Sequence, residues 1–340
     1  MRLRSIFSHP AISAFVAFTL LIFFGVSAKA QYLTWSTPER DTTTPIGGEY
    51  DETGVSGVVQ NGTMYVAYQG ATTDAAGNLY IASNTNGGIN YGNKSQITLS
   101  NGQPLTGASN PAIASFNGNL YVAYIDANGD ASFVISTDNG EHWGSQYYSC
   151  STSATITADS SPALTVFNGY LWMGYRDHKT NALVMCRITS ANATSVSEYS
   201  SILLNFHPAL AVFKNQLYVA IESRQDSHTL YFYTSPDGSN YTLQNGASGD
   251  QAGTAPSMAV HNNILYLGFR SNDVSRVFLY KYSTDGVNFS SSTGGGWGEG
   301  GPPALVDSTG MTGSPYNGAL YVLFSSQTTG YNYLCSSHGS

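Results

Sequence analysis

The chain has 340 residues and carries 13 Lys and Arg against 21 Asp and Glu, a formal net charge of −8. An acidic surface repels nucleic acid and anionic lipid, which argues against both as partners. Charged residues make up only 10%, whereas Gly (36) and Tyr (24) are frequent, a composition that suits an exported β-protein whose ring faces and amides can meet sugars.

Residues 1–30 begin with Arg2 and Arg4, run through apolar residues from Ala11 to Val26, and end in Ala28-Lys29-Ala30. This is the pattern of a secretory signal peptide, so the fold is expected to start near Gln31. An uncleaved anchor is the other reading of the same run. Without this segment ten basic residues face 21 acidic ones, a net charge of −11. No later stretch reaches the roughly 20 apolar residues of a membrane span. Residues 31–340 therefore read as one domain of a monomeric protein, extracellular or periplasmic.

One phrase recurs six times along that domain. It reads Asn61-Gly-Thr-Met-Tyr-Val-Ala-Tyr68, Asn117-Gly-Asn-Leu-Tyr-Val-Ala-Tyr124 and Asn168-Gly-Tyr-Leu-Trp-Met-Gly-Tyr175. It returns as Lys214-Asn-Gln-Leu-Tyr-Val-Ala-Ile221, Asn262-Asn-Ile-Leu-Tyr-Leu-Gly-Phe269 and Asn317-Gly-Ala-Leu-Tyr-Val-Leu-Phe324. The aligned Met64, Leu120, Leu171, Leu217, Leu265 and Leu320 are 56, 51, 46, 48 and 55 residues apart. β-type repeats at that period predict an all-β, six-bladed β-propeller of four-stranded antiparallel blades.

The second repeat predicts an inner strand over Pro111–Phe116, an Asn117-Gly118 hairpin turn, a second strand over Leu120–Tyr124 and a third over Ala131–Ser136. Prolines open the inner strands at Pro111, Pro162, Pro208, Pro256 and Pro303, where no ladder bond is lost. The last blade has room for only three strands. The strand-like Gln31–Ser36 segment is expected to supply its outer strand and close the ring. Three Cys, an odd number, leave two readings: a Cys150–Cys186 disulfide formed after export, or three buried thiols that include Cys335.

Ser136-x-Asp138-x-Gly140-x-x-Trp143 resembles the Asp-box of the sialidase superfamily, the bacterial neuraminidase repeat. Worn copies stand at Ser235–Tyr241, Ser283–Phe289 and Ser83–Tyr91. The resemblance implies a six-bladed propeller in which this turn joins strands three and four on the face away from the ligand. Asp138 and Trp143 are accordingly read as structural.

The opposite face carries the ends of the second strands and the starts of the inner ones. Candidate ligand-binding residues there are Asp126, Arg176, Asp177, His207, Glu222, Arg224, Arg270 and Asp273. Asp51, Glu52, Asp159 and Asp250 also fall at strand starts. Arg176 and Arg270 share one repeat offset. The resemblance implies three arginines on a substrate carboxylate, an Asp as acid/base and a Tyr–Glu nucleophile. The family's early Arg-Ile-Pro motif is missing, and no Tyr–Glu pair can be chosen among 24 Tyr, so catalytic residues stay unassigned. Pairing of the arginines with Asp177 or Asp273 is the structural alternative. No cofactor is expected, since no Gly-rich phosphate loop opens a helix. Nor is a metal, since no His, Cys and carboxylate spacing fits one. The expectation is a glycan-binding protein rather than an enzyme. An exo-acting sialidase-type glycoside hydrolase and a protein-interaction scaffold are the alternatives.

Overall fold

The computed structural model describes residues 33–35, 39–40, 54–70, 77–85, 93–144, 148–150, 161–190, 193–244, 250–298, 301–311, 318–325 and 332–338. The expected signal peptide, and Asp51, Glu52 and Asp159, lie outside them.

The hairpin that repeats is set by its turn. Asn61-Gly62, Asn117-Gly118, Asn168-Gly169, Lys214-Asn215 and Asn262-Asn263 all have positive φ at both residues, the geometry whose twist matches two paired strands. Each such turn joins an inner strand to the apolar second strand. Ser56–Gln60 and Thr63–Gln69 are so joined, as are Ala112–Phe116 and Asn119–Ile125, Ala163–Phe167 and Tyr170–Arg176, Ala209–Phe213 and Gln216–Glu222, and Ser257–His261 and Ile264–Arg270. A third and a fourth strand complete each sheet, giving five antiparallel blades of four strands. We number these blades one to five in chain order.

The expected sixth four-stranded blade is not formed in that way, so the complete four-stranded blades number five. A further sheet contains Ala304–Asp307, Leu320–Ser325 and Asn332–His338. The chain ends there, and the exposed edge of the last strand takes two short strands from the other end of the molecule. Thr34 and Trp35 pair with His338 and Ser337, and Glu39 and Arg40 pair with Leu334 and Tyr333. The Gln31–Ser36 segment thus pairs where expected, through Thr34–Trp35, and the Glu39–Arg40 pairing was not foreseen. The inner strands lie side by side in one cycle, and Ala304–Asp307 returns to Ser56–Gln60.

Blades two, four and five are held to the blade before each of them by Asp-bearing turns. In blade four, Asp237 Oδ1 accepts from the Ser239 and Asn240 N–H groups at 2.8 Å, and Ser235 Oγ accepts from Gly238 N–H at 2.8 Å. The Asp285 turn of blade five repeats this with Val287, Asn288 and Gly286. In blade two, Asp138 accepts from His142 N–H at 2.9 Å. These donors, foremost that N–H, hold the Asp138 carboxyl down at about 2. Each turn presses onto the blade before it. A Cβ on Gly238 would lie 2.4 Å from the Trp172 ring of blade three, and one on Gly286 would lie 2.0 Å from the Tyr218 hydroxyl of blade four. Asn139 Oδ1 likewise accepts from Gln60 Nε2 of blade one at 3.0 Å. The Cys150–Cys186 disulfide adds a covalent tie between blades two and three, so these two thiols are not free. The side chain of Cys335 lies outside the description.

Replacing Gly238 with Ala tests this docking. Its φ of +79° and the Trp172 approach predict a loss of more than about 2 kcal/mol. Gly118 has φ +77° but nothing within 4 Å of its added Cβ, so Gly118→Ala is expected to cost only about 1 kcal/mol. Denaturant unfolding of the two variants measures the difference; equal losses would remove the close-approach argument.

Candidate functional site

The hairpins and the Asp-bearing turns occupy one face. The loops between second and third strands, and the connections between blades, occupy the other. On that second face the proline-led inner strands surround an axial cavity of about 140 Å³. Pro111, Pro162, Pro208, Pro256 and Pro303 line it, all buried. Below them lies a repeat-equivalent ring of Gly57, Ile113, Leu164, Leu210, Met258 and Leu305. Gly57, Leu210, Met258 and Leu305 of that ring also border a second space of about 430 Å³, with Val59, Val212, Val260 and Asp307 among its lining. Among the described residues His207, just before Pro208, is the only titratable side chain lining the upper cavity. Burial, with the Arg176 charge second, lowers its imidazole to about 4, so it is neutral at physiological pH.

The last residues of the second strands are repeat-equivalent: Gln69, Ile125, Arg176, Glu222, Arg270 and Ser325. Arg176, Glu222 and Arg270 are buried rather than displayed at the rim, at 5%, 1% and 7% exposure. Arg176 donates through Nη1 to the Asn205 carbonyl, on the connection into blade four. Asn205 donates its side-chain amide to Glu222 Oε1 at 2.9 Å, and its N–H to the Glu222 carbonyl at 3.1 Å. His228 Nδ1 contacts the same carboxylate oxygen. Burial raises the Glu222 carboxyl above its ordinary range, opposed by the Asn205 hydrogen bond, His228 and Arg176. Arg176, His207 and Glu222 are thus brought to one cleft, between blades three and four, with Asn205 and His228 as members that sequence reasoning missed.

The remaining candidates are placed elsewhere. Arg270 donates to the Gly253 carbonyl at 2.6 Å, on the connection into blade five. The two arginines are therefore tied to different loops. Asp177 accepts from the Lys179 and Thr180 N–H groups, Asp126 from those of Asn128 and Asp130, and Asp273 from Ser271, Ser275 and Arg276. Each closes its own loop as short acidic side chains do. Arg224 is exposed. Tyr175 donates to the Cys150 carbonyl at 2.7 Å, and burial, ahead of the Asp177 charge, pushes its phenol well above the usual range. That is opposite to what an activated nucleophile requires. Asp138, Glu141 and His142 come within 4.8 Å of one another, a proximity not foreseen from spacing. It lies on the turn face, where Asp138 already accepts from Ser136, His142 N–H and the His142 ring.

No protein-family model matches the chain, and no curated protein matches it in sequence. Solved structures do match in fold. A crystal structure of AofleA from Arthrobotrys oligospora is similar over 86% of this chain and 85% of its own, at 11% identity and a TM-score of 0.59. A point variant of the Aleuria aurantia lectin, in complex with Fucα1-6GlcNAc, is similar over 82% and 90%, at 8% identity and a TM-score of 0.53. Trypanosoma rangeli sialidase bound to the inhibitor DANA is similar over 83% of this chain but 54% of its own, at 12% identity and a TM-score of 0.54. At these identities the likeness is one of fold. Among the described residues no helix is long and apolar enough to cross a membrane.

The environment of His207 predicts an acid-side loss of stability. Its folded value, about 4, lies below the ordinary 6.5. The associated stability is therefore complete above about pH 6.5 and lost as pH falls towards 4, because only the unfolded chain takes up the proton. Allowing for partial exposure, its size is on the order of 2 kcal/mol. Unfolding of the protein and of His207→Gln between pH 7 and 4 should show the protein losing stability relative to the variant as pH falls, the variant's curve being flatter. Parallel curves would contradict the assignment.

Proposed function

We propose that the protein is a secreted carbohydrate-binding propeller that holds its ligand at the axial mouth, above blades three and four. The composite sheet acts as the sixth blade and closes the ring around that mouth. One observation carries the reading: a proline-walled cavity whose described titratable lining is a single neutral imidazole, beside buried Arg176 and Glu222, which half-buried Asn205 contacts and which His228 joins from the surface. Proline and aliphatic walls interspersed with Ser56, Asn110, Ser161, His207 and Ser257 suit a small polar ligand with a C–H face. Lectins and a sialidase of similar fold accord with sugar as that ligand. The disulfide accords with an oxidising compartment.

The glycosidase reading is weaker. Arg176 and Arg270 serve different loops, and Tyr175 is shifted away from ionisation. A glycan array combined with a fluorogenic sialoside assay on the purified protein tests the proposal. Binding above background without turnover is the expected result. Turnover abolished by Arg176→Ala would install the glycosidase reading, and neither activity would point to a protein-binding scaffold.

A further inference from the structure

The axial cavity also constrains which sugars fit. About 140 Å³ is close to the roughly 150 Å³ of an apolar protein cavity that accepts one benzene ring. One six-membered ring matches that volume. Pro111, Pro162, Pro208, Pro256 and Pro303 around the mouth, and Ile113, Leu164, Leu210, Met258 and Leu305 beneath, present carbon to that ring, while Ser56, Asn110, Ser161 and Ser257 add neutral polar groups to the lining. No lysine or arginine lines the cavity among the described residues. The nearby cation, Arg176, is buried and donates to the Asn205 carbonyl, and its charge acts on Glu222. A carboxylate carried into such a site loses its hydration without gaining a bidentate partner, a cost of several kcal/mol. A neutral hydroxyl meets no such penalty, since a neutral imidazole offers one donor and one acceptor.

We infer that the mouth selects a single uncharged pyranose, its C–H face against the proline ring and one hydroxyl on His207, and that it discriminates against carboxylated sugars. This rests on the carbohydrate-binding reading of the same mouth. It also separates this site from one in which converging arginines grip an acidic sugar.

The test is a ligand-observed NMR titration of the purified protein at pH 7.5. The probes are methyl glycosides of glucose, galactose, mannose and fucose, with N-acetylneuraminic acid and glucuronic acid as the charged set. At least one neutral glycoside should bind at least about tenfold more tightly than either acid. His207→Phe, which keeps a flat ring but removes both hydrogen-bonding atoms, should lose about tenfold in affinity. His207→Gln should retain most of it, with unfolding midpoints confirming that both variants fold. Acids bound as tightly as neutral sugars, or neutral binding unchanged in folded His207→Phe, would overturn the selectivity while leaving sugar binding in place. Absence of binding by every probe would overturn both readings.

Discussion

The structure depends on how each blade seats on the one before it. A single four-stranded sheet of this kind leaves apolar faces uncovered and is stable only when stacked against neighbours. Here the seat is the Asp-bearing turn. Asp237 and Asp285 gather the backbone N–H groups of their turns, and Gly238 and Gly286 let those turns come down on Trp172 and Tyr218 of the preceding blade. Closing the cycle needs one more seat. It is made by strands from both ends of the chain, with Tyr280 in blade five bonding the Leu33 carbonyl at 3.2 Å. The disulfide, which closes a loop of sequence separation 36, contributes roughly 3–4 kcal/mol in the chain-entropy account.

Once the blades are seated, the axial mouth follows from the inner strands. Each begins where the chain turns downwards, and five of them begin with proline. Those prolines form a wall interspersed with Ser56, Asn110, Ser161 and Ser257. Hydrogen bonds near the wall are made between blades: Ser56 Oγ accepts from Ile113 N–H at 3.1 Å, and Ser257 Oγ from Leu305 N–H at 2.8 Å. His207 interrupts the wall on one side. Behind it, Arg176 and Glu222 are drawn inwards at the ends of their strands, where the connection through Asn205 bonds to both. The result is an opening with no lysine or arginine in its described lining, backed by Arg176 and Glu222 held through Asn205.

Local patterns in the sequence carried much of the fold. Alternation and Asn-Gly turns marked the hairpins, and the third strand of blade two matches its expected span, Ala131–Ser136. Cys150 and Cys186 fall in consecutive blades, which left a disulfide as one of two open readings; the structure pairs them. The last sheet was only half legible: Thr34–Trp35 had strand character, but Glu39–Arg40 has no alternation to mark it. The site was less legible still. Sequence offsets put Arg176 and Arg270 in equivalent places, yet carbonyls on different sides of blade four decide where their guanidinium groups point. Asp126, Asp177 and Asp273 read as ligand contacts because the rim position was visible and their turn-closing hydrogen bonds were not. Asn205 had one signal that could have found it, its position two residues before the His207–Pro208 step. His228 had none, since its approach to Glu222 depends on a left-handed backbone at φ +70°.

A crystal structure of the protein with a neutral monosaccharide would test the central claim most directly. The account predicts one sugar ring in the axial cavity, against the proline wall and within hydrogen-bonding distance of a His207 nitrogen. A sugar bound between the outer strands of neighbouring blades, with the axial cavity empty, would contradict it.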